Sequence, residues 1–135
     1  TVRSTPYALE GNTVDATAFV VDDGSSTVVI ASDDARHLPE AALPDEIDLA
    51  VFECGLFEEG PDGEALFTDA DWEFLDGELT HGEVLARIDR LDPDRAVLTE
   101  IEHLTARSHD HFEKRQRRAA YRNIVFAYDG LELAV

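Results

Sequence analysis

"THGEVLARIDRLDPDRAVLTE" (residues 80–100) decides how the chain is read. Its first half starts as a helix. Thr80 can cap the first turn, and Glu83 stands at the spacing from which a carboxylate reaches back to the cap N–H. Val84, Leu85, Ile88 and Leu91 then fall on one helical face. The second half contains "RAVLT" (95–99), which reads as a buried strand. Upstream, "IDLAVFE" (47–53) is a nearly continuous apolar run, and continuity points to a strand buried on both faces. Strand, helix and strand in that order imply a right-handed crossover, with helices laid on at least one face of a sheet. The fold class is α/β.

Working outward, residues 16–21 and 27–32 are two β-branched apolar runs around a turn that contains Gly24, the pattern of a β-hairpin. Residues 57–76 read as an acidic loop with a helical turn around "DADWEFL". Residues 101–120 are expected to be helical. Residues 123–128 and 131–135 are expected to close the fold as a second hairpin about Asp129-Gly130. The expected order is hairpin, strand, helix, strand, helix, hairpin, in one domain over residues 1–135.

Composition narrows the function classes. The chain has 135 residues, is 44% hydrophobic and carries a net charge of −19. That is enough apolar residue for one core. Acid excess with Lys114 as the one lysine resembles the surface of salt-adapted, halophilic proteins, and bears on solubility and partners rather than on fold. Nucleic acid is disfavoured as a partner, because phosphate affinity comes from clustered cations. The one cluster is "EKRQRRAAYR" (113–122), read mainly as a solvated helix face and otherwise as a contact for a phosphate-bearing ligand. Cys54 stands alone, so no intrachain disulfide forms and a cytoplasmic setting is expected. No apolar run approaches the length of a membrane span, and no signal-peptide pattern opens the chain. The chain starts at Thr1 and holds no methionine, which leaves open both a removed initiator and a longer parent protein.

Three strand ends carry polar residues at equivalent places: Asp33-Asp34, Glu53-Cys54 and Thr99-Glu100. If those strands are neighbours, the carboxylates converge on one rim. They would then repel each other, and either a cation or raised pKa values would relieve the repulsion. Hard oxygen ligands suit Mg, Mn or Ca, and a nearby histidine, His81 or His103, extends the choice to Zn or Fe. Strand ends also carry Asp and Glu as plain turn residues or caps. Asp33-Asp34 can cap a turn, and Glu53 can pair with an arginine. In "SHDHF" the two histidines, His109 and His111, are two residues apart on a helix and point away from each other, so they cannot share a metal. His37 reads as a surface residue.

Taken in order, these segments resemble the C-terminal half of a metallo-β-lactamase-fold hydrolase, in the branch of phosphodiesterases and tRNA 3′-processing endonucleases. "VVIASDD" matches the strand that delivers a metal-bridging aspartate, at Asp33. "IDLAVFEC" matches the next strand, with Glu53. "LTHGEVLARI" matches the loop that delivers a histidine, at His81. "RAVLTEIEH" matches the strand whose last metal histidine here falls on Glu100. "IVFAYDGLEL" matches the end of the family pattern. Two features depart from it. A histidine before the first hairpin is replaced by Glu10-Gly11, and no segment matches the H-x-H-x-D-H motif of the family's N-terminal half.

The resemblance implies half of an αββα sandwich, a mixed sheet with helices on its outer face. It implies hydrolysis of a small phosphoester by metal-activated water, with Asp33 and Glu100 as metal ligands, Zn or Mn as the divalent metal, and His81 serving the leaving group. Asp33 and Glu100 alone are too few ligands for tight binding. The implied partner is therefore a missing N-terminal half, or a homodimer partner that closes the sandwich. Two other readings stay open: a degenerate, non-catalytic domain of the same fold kept for binding or assembly, and an unrelated α/β interaction module.

Overall fold

In a computed structural model, described over residues 1–8, 15–75, 78–101 and 107–135, six strands form one mixed sheet in sequential order. They are β1 (Val2–Ala8), β2 (Asp15–Asp22), β3 (Thr27–Ala31), β4 (Leu49–Glu53), β5 (Arg95–Thr99) and β6 (Ile124–Phe126). β1, β2 and β3 pair antiparallel, while β3, β4, β5 and β6 run parallel. Three helices are described: α1 (Asp69–Phe74), α2 (His81–Leu91) and α3 (His109–Gln116). The order always advances one way, so right-handed crossovers lay every connection on the same face of the sheet.

The register shows which face that is. Val20, Val29, Ala50, Ala96 and Ile124 form one cross-strand row, and Ala31, Phe52, Leu98 and Phe126 form the next. All are buried in one core with Val84 and Ile88 of α2 and Phe112 of α3. The intervening positions form an equally apolar row on the opposite face: Phe19, Ile30, Val51, Val97 and Val125. Phe19 is 43% exposed, and Ile30, Val51 and Val125 are partly exposed. Leu49 and Val97 on that face are buried but stand outside the main core. Apolar residues on both faces explain why β4 reads as a continuous run. The chain thus forms an α/β layer with helices on one face and a half-covered apolar sheet on the other.

Local chemistry explains the elements. Thr80 and Glu83 form the expected capping box, each reaching the other's backbone N–H, and Thr68 and Asp71 do the same for α1. In the β2–β3 turn, Asp23 Oδ1 accepts the Ser25 and Ser26 N–H groups and Gly24 takes φ 92°. Three expectations are corrected. β1 is a strand that the sequence pattern does not announce. It contains Pro6, and of residues 2–7 it buries Tyr7 alone, as an edge strand can. Within 101–120, residues 102–106 lie outside the described residues, and the described α-helix covers His109–Gln116, with Phe112 its one buried residue. The closing hairpin is absent. Asp129-Gly130 turns, with the Leu131 N–H donating to the Tyr128 carbonyl, but β6 stops at Phe126 and 131–135 do not pair.

Candidate functional site

β3, β4 and β5 end side by side, and each is followed by a left-handed residue: Asp34 (φ 32°), Gly55 (φ 70°) and Glu100 (φ 52°). Only glycine takes that conformation freely, so Asp34 and Glu100 hold backbone strain at this rim. Neighbouring strands stand about 4.8 Å apart, which sets the ends of β3 and β5 roughly 10 Å from each other with Glu53 between them.

Glu53 is the half-buried centre of the rim. Its Oε1 accepts the Ala35 N–H at 2.7 Å, not an arginine as one reading allowed. Its pKa is pushed up to about 7, first by burial. The Ala35 bond opposes the shift, and the charges of Asp34, Glu78 and Glu100 add to it. Asp34 is committed elsewhere. It caps the 3₁₀ turn Ala35–His37 and holds Arg36 through both oxygens, at 2.7 and 2.5 Å. Asp33 is exposed, and its carbonyl accepts the Tyr7 hydroxyl at 2.7 Å. Burial and the charges of Asp33, Asp34 and Glu53 raise the Tyr7 pKa to about 12.

Behind the rim, Arg87 ties α2 to the β3–β4 connection. Its Nε donates to Glu40 Oε1 at 2.9 Å and its Nη2 to the Arg36 carbonyl at 3.0 Å. Its Nη1 is the one buried side-chain nitrogen or oxygen without a partner among the described residues.

His81 is 4% exposed, and its imidazole is a buried hub. The Cys54 carbonyl can only accept, so Nδ1 carries the proton and donates to it at 2.7 Å. Nε2 then accepts the Tyr121 hydroxyl at 2.9 Å. Tyr121 in turn accepts from Arg115 Nη1 at 2.8 Å. The ring stacks on Phe57 at 3.9 Å between centroids. Burial lowers its pKa to about 4, so it is neutral. The same burial raises the Cys54 thiol to about 12, an unreactive group. His81 is thus satisfied at both ring nitrogens. Gly55 makes this packing possible, because a Cβ there would lie 2.8 Å from the Thr80 carbonyl oxygen.

The rim carboxylates are not drawn into a ready-made metal cage. Among the described residues, the cluster of three ligand atoms within 4.8 Å of one another is His109, Asp110 and Glu113, all exposed at the start of α3. The i, i+4 spacing of His109 and Glu113 was a sequence signal for that pairing. His111 instead accepts the Ser108 N–H at 3.0 Å. Glu78 and Tyr7 join the rim with no local motif to announce them. Glu10, Gly11, Glu102 and His103 lie outside the described residues. No helix among the described residues is long and apolar enough to cross a membrane. No protein-family model matches the chain, and no curated protein or solved structure is significantly similar to it.

Proposed function

We propose that the chain is part of a metal-dependent hydrolase acting on phosphoesters, with the rim of β3, β4 and β5 as its share of the metal site. The observation that carries this is the place of Asp33, Glu53 and Glu100 at or just beyond the ends of three adjacent parallel strands, where ligands collect in open α/β sheets. A divalent cation, Zn or Mn, if held by these carboxylates, would offset their repulsion and would supply an activated water. Asp33 and Glu100 supply metal oxygens, and Glu53 between them can take or return a proton near neutral pH. His81, with both nitrogens engaged, positions the β4–α2 turn in this reading; releasing its Tyr121 bond would let it serve a leaving group. The remaining ligands come from a second segment, an N-terminal half or a homodimer partner. That segment also covers the Phe19–Ile30–Val51–Val97–Val125 face, closing a metallo-β-lactamase-like sandwich. The acidic, lysine-poor surface and the lone buried Cys54 fit a salt-adapted cytoplasmic protein.

Metal analysis of the protein purified from its native host tests this. Two equivalents of a transition metal, lost in Asp33→Ala together with hydrolysis of a chromogenic phosphodiester, are expected. Metal-free wild-type protein with no hydrolysis after Zn or Mn addition sinks the reading. The satisfied His81 ring favours a second reading, a non-catalytic domain of the same kind that serves assembly. Ultracentrifugation separates the two. The assembly reading expects a stable complex that Val51→Asp disrupts, with no metal in either form.

A further inference from the structure

Two stretches of opposite charge lie side by side in this chain. Residues 58–75 carry seven acidic residues and no lysine or arginine, net −7, while residues 114–122 carry five lysines and arginines and no acidic residue, net +5. The acidic stretch belongs to the connection between β4 and α2. Its root rests on the cationic one. The Arg115 guanidinium carbon stands 4.7 Å from the centroid of the Phe57 ring, and that ring meets Phe112 of α3 at 6.0 Å. Arg107 is already committed to the acidic stretch: it donates to the Glu59 carbonyl, and the Glu64 charge acts on it. Lys114, Arg117 and Arg118 are exposed. Among the described residues, no carboxylate pairs with Lys114 or Arg118, and Arg117 keeps only a 3.6 Å contact with Glu113.

The far part of the acidic stretch presents aromatic rings to solvent. α1 is capped by Thr68 and Asp71 yet buries none of its residues. Phe74 is 89% exposed, and Trp72, partly exposed, meets Phe67 edge-on at 5.1 Å. So short a helix gains little from its own hydrogen bonds, and a ring left in water forgoes the free energy of burial. Asp69, Asp71 and Glu73 are exposed on the same helix. Rings set among carboxylates suit a surface of arginines and lysines, whose heads stack on aromatic faces while the acids pair with them. Arg115 on Phe57 is such a stack, made within one copy.

We propose that a second copy of this chain docks here, with Trp72 and Phe74 of each copy set against Lys114, Arg117 and Arg118 of the other. Charge complementarity selects this occupant, because residues 114–122 are the chain's one cationic cluster. Adjoining patches of opposite sign also close on themselves. A two-fold axis between them lays each patch on its opposite, so association stops at a dimer. The contact is separate from the Phe19–Ile30–Val51 sheet face and from the rim carboxylates, and it stands whether or not either is occupied.

The test is sedimentation velocity of the full chain across a concentration series in about 1 M KCl. At that salt the screening length falls to about 3 Å, so the repulsion between two copies of net charge −19 is suppressed while close contacts persist. A monomer–dimer equilibrium is expected. Emission of Trp72, the one tryptophan, should move to shorter wavelength as the dimer forms. Phe74→Ser, and Lys114→Glu combined with Arg118→Glu, should each raise the dimer Kd about tenfold or more, while Val51→Asp leaves it unchanged. All these side chains but Val51 are exposed, and thermal melts verify that every variant stays folded. A mixture of the Phe74→Ser chain with the doubly substituted chain regains one of the two contacts, so it should dimerise more tightly than either variant alone. A monomer at every concentration overturns the proposal, as does growth beyond the dimer. A dimer that Val51→Asp dissolves and Phe74→Ser leaves intact overturns it too, because that contact is the sheet face. So does a dimer that Phe74→Ser weakens and the double substitution does not, because the cationic cluster is then not the docked surface.

Discussion

Glu53 and His81 are ionisable groups buried at the same end of one sheet, and the fold treats them in opposite ways. Glu53 receives one backbone N–H, is half-buried and stands near the charges of Asp34, Glu78 and Glu100, so its ionised form is poorly supported. His81 has a partner at each ring nitrogen and an aromatic ring against its face, so its neutral form is fully satisfied. The difference teaches where chemistry can reside. A satisfied buried network rigidifies a core, whereas a half-supported carboxyl at a strand end is poised to take a proton or a cation.

The largest effect is expected where the two regions join. Gly55 lies between Glu53 and Phe57 at φ 70°, and a Cβ there meets the Thr80 carbonyl oxygen at 2.8 Å and Val84 Cγ2 at 2.9 Å. The Leu56 N–H donates to the Leu79 carbonyl and the His81 N–H to the Leu56 carbonyl, so this turn also locates the start of α2. Gly55→Ala should cost about 3 kcal/mol or more, combining backbone strain with a clash against main chain. Urea unfolding measures it. A loss below about 1 kcal/mol means the turn can relax, and the two regions are then less tightly coupled than they look.

Next in size is His81→Phe. The ring stack on Phe57 survives, but the Cys54 carbonyl and the Tyr121 hydroxyl lose a partner. A loss of about 2 kcal/mol is expected at pH 7.5. The His81 pKa is lowered from 6.5 to about 4, so its stabilisation is full above pH 6.5 and is lost as pH falls toward 4. Glu53 is raised from 4.5 to about 7, so its stabilisation is full below pH 4.5 and is lost as pH rises through 7. Between pH 4.5 and 6.5 the two slopes oppose each other. Wild-type stability should be nearly flat there as far as these groups go, and His81→Phe should make it fall with pH.

Glu53→Gln should do the reverse, leaving stability that rises with pH across the same window. At pH 8 it should stabilise the protein by about 1–2 kcal/mol, a figure reduced for the solvent screening of a partly exposed carboxyl, and at pH 4 it should change little. Denaturant titrations at three pH values check this. Equal stability of the variant and wild type at pH 8 means the rim carboxylates are farther apart, or better hydrated, than their placement suggests.

Much of the fold was legible because its signals are local. The Thr80–Glu83 box, the one-sided face of α2 and the limits of β5 all depend on residues within a turn of each other. β1 was not, since an edge strand with Pro6 needs no strong β pattern of its own. The final hairpin misled because Asp-Gly turns locally whether or not a partner strand follows. At the site, the strand-end carboxylates were legible from pattern, but their burial was not. Nothing local says that Glu53 would be drawn inward or that Glu78 would face it from the far end of a loop. His81 looked like a candidate for chemistry from its place after a strand. Its two partners, Cys54 and Tyr121, lie 27 and 40 residues away, and only the folded chain brings them to it.

The smallest effect is expected at the ion pair that most resembles a stabilising one in the sequence. Glu113 and Arg117 are four residues apart on α3, yet they sit 3.6 Å apart with side chains 54% and 77% exposed. Water and salt screen such a pair, and two long side chains lose freedom to hold it. Glu113→Gln should therefore shift stability by less than about 0.5 kcal/mol. A stability loss above about 1 kcal/mol would show that α3 depends on this pair. The cationic segment would then be held together by its own charges rather than by Phe112, Phe57 and Tyr121 packed beneath it.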